Sequence, residues 1–224
     1  LKNSQVKFIG IPTSRIEEDY LRIIRFIRFS IYYNIKESEP KIIEAVKLNL
    51  NGIKNLSKER ILNELYKIFK LKNINILLEN KELKNIFCIA FPEFKYLDRL
   101  EKILPFLKKN ILFQFSEIIF SILLIDEKDN YQYFCHKYTV SNKLKKDLSF
   151  TAKNYILFKE EKNYFKKDLK KNVYKLGKDN IKKLLSFIYC AEPKFSTKLF
   201  NNIIEEINKI DIPIFPFNGQ YLIG

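Results

Sequence analysis

Apolar residues along this chain recur at spacings of three and four far more often than in alternation, so helices are expected along nearly all of it. The best-marked period runs from Thr13 to Phe29. Wound at about 100° per residue, it gathers Ile16, Tyr20, Ile23, Ile24, Ile27 and Ile31 on one side, and Arg15, Glu18, Asp19, Arg22 and Arg25 on the other. Ser14 and Glu17 have capping-box spacing, and Pro12 is expected just outside the helix. A second helix starts at Glu37-Ser38-Glu39-Pro40, buries Ile42, Ile43, Val46 and Leu50, and stops near Gly52. The third spans Lys58 to Phe69, with Ser57 as its N-cap and Glu59 in its first turn, where a carboxylate suits the helix dipole.

Beyond residue 70 the same period predicts helices over 74–90, 94–108, 111–126, 129–138, 141–158, 162–176, 179–191 and 196–209. Pro92, Pro105, Gly177 and Pro193 separate them, and Ser141 and Asp179 are expected caps. Only Val6 to Ile11 and the ending Ile212 to Gly224 read as extended. The fold class expected is all-α, an elongated array of many helices, organised as 1–75, 76–140 and a basic segment 141–224. The run Ile118 to Ile125 is too short to span a bilayer and is stopped by Asp126, so no membrane partner is expected.

Charge changes the picture. The chain has 224 residues, 41 Lys+Arg against 26 Asp+Glu, and a formal net charge of +15. That balance favours a polyanionic partner, nucleic acid first. From residue 141 onward 17 lysines face 9 acidic residues, interleaved with Tyr155, Phe158, Tyr164, Phe165, Tyr174 and Phe187. Solvated lysine faces and a diffuse phosphate-contacting surface both fit that stretch. Arginine is distributed differently. Only Arg15, Arg22, Arg25, Arg28, Arg60 and Arg99 occur, and four of these six crowd into the first helix. Its charged face can be an ordinary solvated one laced with pairs such as Arg15–Asp19 and Asp19–Arg22. A guanidinium fork beside a carboxylate also matches a base edge or a phosphate, which lysine does not copy.

Several chemistries are excluded. The five glycines are isolated, so there is no phosphate-binding glycine loop. No Asp-x-Asp pair exists to hold two metal ions, and Asp126-Glu127-Lys128-Asp129 reads as an exposed turn. His136 is the only histidine, expected to pack, which removes two-histidine metal sites and nucleophile–base constellations. Cys88, Cys135 and Cys190 are far apart and read as buried thiols in a reducing, cytoplasmic setting. The chain begins with Leu and contains no Met, which reads as a fragment or a split or decayed gene.

Two stretches together carry a resemblance. Arg15-Ile16-x-Glu18-Asp19-x-Leu21-Arg22-Ile23-Ile24-Arg25-x-x-Arg28-Phe29, followed by Leu56-Ser57-x-Glu59-Arg60-Ile61-x-x-Glu64-Leu65, resembles two motifs of the bacterial tRNA nucleotidyltransferase and poly(A) polymerase family. The first is similar to the family's nucleotide-selecting motif, Glu-Asp-x-x-Arg-x-x-Arg, and the second to its bracing neck motif, Glu-Arg-x-x-x-Glu-Leu. Leu1 to Gly10 resembles the tail of a preceding motif, with Ser4 and Lys7 in place of the usual Gly and Arg. Phe215 to Ile223 resembles a C-terminal segment.

The resemblance implies that Asp19 and Arg22, with Arg25 beside them and Glu18 in support, present a base-like edge to CTP or ATP. It implies that Arg15, Arg28, Glu59, Arg60 and Glu64 brace the neck. It further implies a neck, body and tail acting on tRNA, with the catalytic head and its Mg2+-binding aspartates outside this chain, on a separate polypeptide if the gene is split. Such a chain would be inactive alone. Addition of CCA, addition of poly(A), and a catalytically silent helical RNA-binding module all remain compatible with these residues.

Overall fold

A computed structural model of the chain describes residues 6–108, 117–161 and 163–212. All regular structure among them is helical, as the spacing predicts: α1 (Pro12–Glu18), α2 (Leu21–Tyr32), α3 (Pro40–Asn49), α4 (Lys58–Phe69), α5 (Ile76–Glu79), α6 (Lys81–Ala90), α7 (Leu100–Lys108), α8 (Glu117–Leu124), α9 (Asn130–Tyr138), α10 (Asn142–Glu160), α11 (Leu169–Leu176), α12 (Lys178–Ala191) and α13 (Thr197–Lys209). Two short 3-10 segments, Leu50–Asn55 and Leu97–Arg99, join them. The chain forms two compact units, one up to Lys153 and one from Asn154.

The first helix departs from the expected one in the most consequential way. The period from Thr13 to Phe29 is continuous, but the backbone breaks at Asp19, which is extended at φ −156° and ψ 102°. Its carboxylate accepts a hydrogen bond from the Leu21 N–H at 3.1 Å. A short acidic side chain competes in this way with the helical ladder and favours a turn over continuation. Pro12 is the first residue of α1 rather than a flank, and Ser14 makes no cap. Ile16, Ile23, Ile24, Ile27 and Ile31 are nonetheless buried as expected, and Tyr20 is half-buried. The Tyr20 ring lies on Gly52, where a Cβ would come within 2.1 Å of the ring atoms. Gly52 therefore makes room for the ring inside the 3-10 segment that follows α3, which itself ends at Asn49.

Similar local reasons explain the other differences. The stretch 74–90 is two helices, because Asn80 interrupts it: its Oδ1 caps the Leu83 N–H at 2.9 Å and its Nδ2 donates to the Ile35 carbonyl at 3.2 Å. The stretch 94–108 enters through a 3-10 turn, and Pro105 lies inside α7 instead of ending it. Residues 163–168 are turns, so helix begins only at Leu169. Ser57 and Ser141 cap their helices through Arg60 N and Leu144 N. Gly177, not Asp179, caps α12, at a left-handed φ of +84° that glycine adopts freely. The expected segments 1–5, 109–116 and 213–224 lie outside the described residues.

In the first unit α2 packs on α4 and α1 on α3. Below them Phe69, Phe87, Phe91, Phe94, Phe120 and Phe134 form a ring cluster with neighbouring centroids 4.8–6.3 Å apart. Every residue from Ile118 to Ile125 is buried, so that apolar run is a core helix. No helix among the described residues is long and apolar enough to cross a membrane. Cys135 and Cys190 are buried, but Cys88 is exposed, and His136 is exposed in the last turn of α9 rather than packed. In the second unit α11, α12 and α13 pack together around Leu169, Val173, Ile181, Leu184, Phe200 and Ile203.

Candidate nucleotide-selecting corner

The break at Asp19 redistributes the charges that a continuous helix would have stacked. The pairs Arg15–Asp19 and Asp19–Arg22 do not form. Glu18 instead takes both guanidinium groups, with Arg15 Nη1 at 2.8 Å and Arg22 Nη1 at 2.9 Å. The Arg15 hydrogen bonds, with help from Arg22, hold the Glu18 carboxyl below the usual carboxylate range against the opposing desolvation. Arg22 Nη1 also donates to the Arg15 carbonyl at 2.7 Å, tying α2 back to α1. Among the described residues the contacts of the Arg22 side chain run through Nη1, which leaves Nε and Nη2 without a partner there.

Asp19 turns to α4. Its Oδ1 and Oδ2 accept from the same nitrogen, Arg60 Nη2, at 3.1 and 2.9 Å. Ser57, capping α4 through Arg60 N, fixes the base of that arginine. A second bridge runs the other way between the two helices. Arg28 Nε donates to Glu64 Oε2 at 2.7 Å, Lys67 Nζ to Oε1 at 2.8 Å, and Arg25 Nε stands 3.9 Å from Oε1. The Glu64 side chain is only 3% exposed. Burial pushes its pKa up, but Lys67 and Arg28 outweigh that and hold it below the usual carboxylate range. The Arg28 guanidinium also lies over the Phe29 ring, 4.3 Å from the centroid.

Arg15, Arg22 and Arg25 share a crevice of about 250 Å³ with Phe8, Phe26 and Phe29, and Lys7 stands at it. Phe8 stacks on Phe26 with centroids 5.9 Å apart, and Lys7 is paired with Glu39 at 3.0 Å. Three cations over apolar ring walls fit an anion with a flat apolar part. Glu18 and Asp19 do not line this crevice. Of the expected bracing residues, Arg15, Arg28, Arg60 and Glu64 all make the bridges described, whereas Glu59 is exposed and joins none of them.

Sequence reasoning missed Lys67, one helical turn beyond Glu64, although the i,i+3 spacing signals it. It also missed the ring walls Phe8 and Phe26. Among the described residues no three His, Cys, Asp or Glu side chains converge where a metal ion would sit. The side chains of this corner do not make a Mg2+ site.

Comparison with known proteins gives the corner a context. No profile of a known protein family matches the chain. It is 41% identical to human mitochondrial CCA tRNA nucleotidyltransferase 1 over 80 residues, covering 35% of this chain and 18% of that protein. It is 27% identical to a CCA-adding enzyme of Streptococcus agalactiae over 187 residues, 81% of this chain and 44% of that enzyme. A Staphylococcus aureus CCA-adding enzyme is 33% identical over 99 residues, 44% of this chain and 24% of the enzyme. The chain thus spans less than half the length of these relatives. These likenesses are to CCA-adding tRNA nucleotidyltransferases, over matched stretches that cover 18%, 44% and 24% of the three relatives.

Proposed function

We propose that this chain is the portion of a CCA-adding enzyme that selects CTP and ATP and grips tRNA, with the nucleotidyl-transfer chemistry supplied from outside it. The observation that carries the reading is the division of labour at the helix break. Asp19 offers an oriented carboxylate, and Arg22, three residues on in an arginine-lined crevice, keeps two guanidinium nitrogens without a partner among the described residues.

The base chemistry follows from those groups. Cytosine and adenine each present an exocyclic amine beside a ring nitrogen acceptor, whereas uracil and guanine present a carbonyl beside a ring N–H. A carboxylate accepts from the amine and a guanidinium donates to the ring nitrogen, so Asp19 with Arg22 favours C and A. Arg25, the cation least tightly held by its carboxylate partner, is placed to meet phosphate oxygens. Glu18 holds Arg15 and Arg22 in place, and the Arg28–Glu64 bridge keeps α2 on α4.

The RNA side of the reading rests on the second unit. Lys167, Lys170, Lys171 and Lys175 line a groove with Tyr174, which is 64% exposed. Lys166 and Lys209 extend the positive surface along its neighbour. Lysines of this kind give salt-dependent, sequence-independent phosphate contacts.

The sequence holds no Asp-x-Asp pair, so the chain alone is proposed to be inactive. The Mg2+ of the complete enzyme is proposed to be held by a head domain. The test is reconstitution: the chain is mixed with a head domain carrying the paired aspartates and with tRNA lacking its CCA end. Incorporation of CMP and AMP that needs both components supports the reading. Binding of tRNA without any incorporation leaves a silent RNA-binding module and overturns the enzymatic part.

A further inference from the structure

We propose that Arg60 is a positioning residue for base selection, fixing which lone pair of Asp19 faces the incoming base; the inference rests on the selection reading above. A carboxylate has about four acceptor positions. On Asp19, Oδ1 takes the Leu21 N–H at 3.1 Å and Arg60 Nη2 at 3.1 Å, which fills it. Oδ2 takes Arg60 Nη2 at 2.9 Å and keeps one position open. The carboxylate is left with a single directed acceptor, which is what reading one exocyclic amine requires.

Among the described residues no other charged side chain supplies this orientation. Arg22 and Arg15 are held by Glu18, and Arg25 and Arg28 stand at Glu64. Asp19 has left the helical ladder, so its own backbone restrains it only through Leu21. Arg60 is itself set by the Ser57 cap and by the register of α4 on α2, which the opposite-running Arg28–Glu64 bridge pins. Side chains of Arg60 and Asp19 are 48% and 26% exposed. An ion pair that open contributes little to stability. Its loss should therefore appear in selection and not in melting.

The test is the ratio of CTP to UTP affinity, by equilibrium titration of the intact protein and its R60A, R60Q, R60K and D19A variants, with melting temperatures measured beside it. In R60A and R60Q the ratio should fall about tenfold while the melting temperature holds. R60K should recover most of the ratio, because one nitrogen makes both contacts and an ammonium supplies that nitrogen. A wild-type ratio in R60A or R60Q alongside its loss in D19A overturns the inference and leaves the selection reading standing. A loss in R60A or R60Q that R60K does not restore, or that tracks a fallen melting temperature, also overturns it. A ratio near one in the wild-type protein, or an unchanged ratio in D19A, overturns the selection reading itself.

Discussion

The two compact units carry positive charge in opposite ways. In the first, at the α2–α4 contact, each of Arg15, Arg22, Arg25, Arg28 and Arg60 stands within 4 Å of a carboxylate, drawn from Glu18, Asp19 and Glu64. In the second, Lys166, Lys167, Lys170 and Lys175 make no ion pair among the described residues. Partnered arginine forks hold a geometry, which discrimination between bases needs. Unpartnered lysines hold a potential, which attraction to a phosphate backbone needs. On the proposed function, the choice of cation separates reading from gripping.

That contrast predicts where the chain is fragile. The largest effect is expected at Glu64. Its replacement by Gln leaves Arg28 and Lys67 without their shared counter-charge at a buried position, costing about 2–3 kcal/mol after allowance for the exposure of Lys67. Urea unfolding measures it. Removing Lys170 and Lys175 together, by contrast, should leave the unfolding midpoint where it is.

Next comes Gly52→Ala. The added methyl meets the Tyr20 ring beside the helix break. Overpacking of this kind costs about 1–3 kcal/mol and displaces the neighbours of Asp19. The same titration of CTP and UTP should show a weakened preference, since the break itself is disturbed.

The pH limbs come next. The Glu64 pKa in the folded chain lies below its ordinary value of 4.5, so its contribution is complete above that value and is lost as pH falls through the lower folded pKa. Glu64→Gln should flatten the acid limb of a stability–pH curve below about 4.5. The alkaline limb belongs in part to the second unit. Burial, with Glu192 for Tyr155 and Glu161 for Tyr164, pushes both phenols up to about 12. Their contribution is complete below the ordinary value of 10.0 and is lost as pH rises from there towards 12. Tyr155→Phe should soften that limb and leave the acid one unchanged.

The smallest effect is expected for single lysines. Lys170→Ala or Lys175→Ala should weaken tRNA binding a few-fold, equally for unrelated RNA sequences. Each should lower the slope of log affinity against log salt by about 0.7–0.9. A sequence-selective loss would break the contrast between the units.

Much of this was legible beforehand. The three- and four-residue period named the buried isoleucines of α1 and α2, and the capping serines Ser57 and Ser141 took their expected places. The crowding of arginine pointed to the corner where the ion pairs of α1, α2 and α4 gather. The partners were not legible. Helical spacing pairs Asp19 with Arg15 or Arg22, but a carboxylate that captures the Leu21 N–H ends the helix there and turns to Arg60, 41 residues away. Periodicity describes a continuous cylinder and is blind to a side chain that outcompetes the ladder. The same blindness hid the split at Asn80. His136 and Cys88 were misjudged for a different reason: residue type gives a burial tendency, and the position on the helix decides which face the residue meets.

The most direct measurement of the central claim is a titration of the protein with CTP, ATP, UTP and GTP under one salt condition, repeated on Asp19→Ala and Arg22→Ala. The account predicts that CTP and ATP bind about tenfold or more tightly than UTP and GTP, and that either substitution removes the difference. Four equal affinities, or a preference that survives Asp19→Ala, would contradict it.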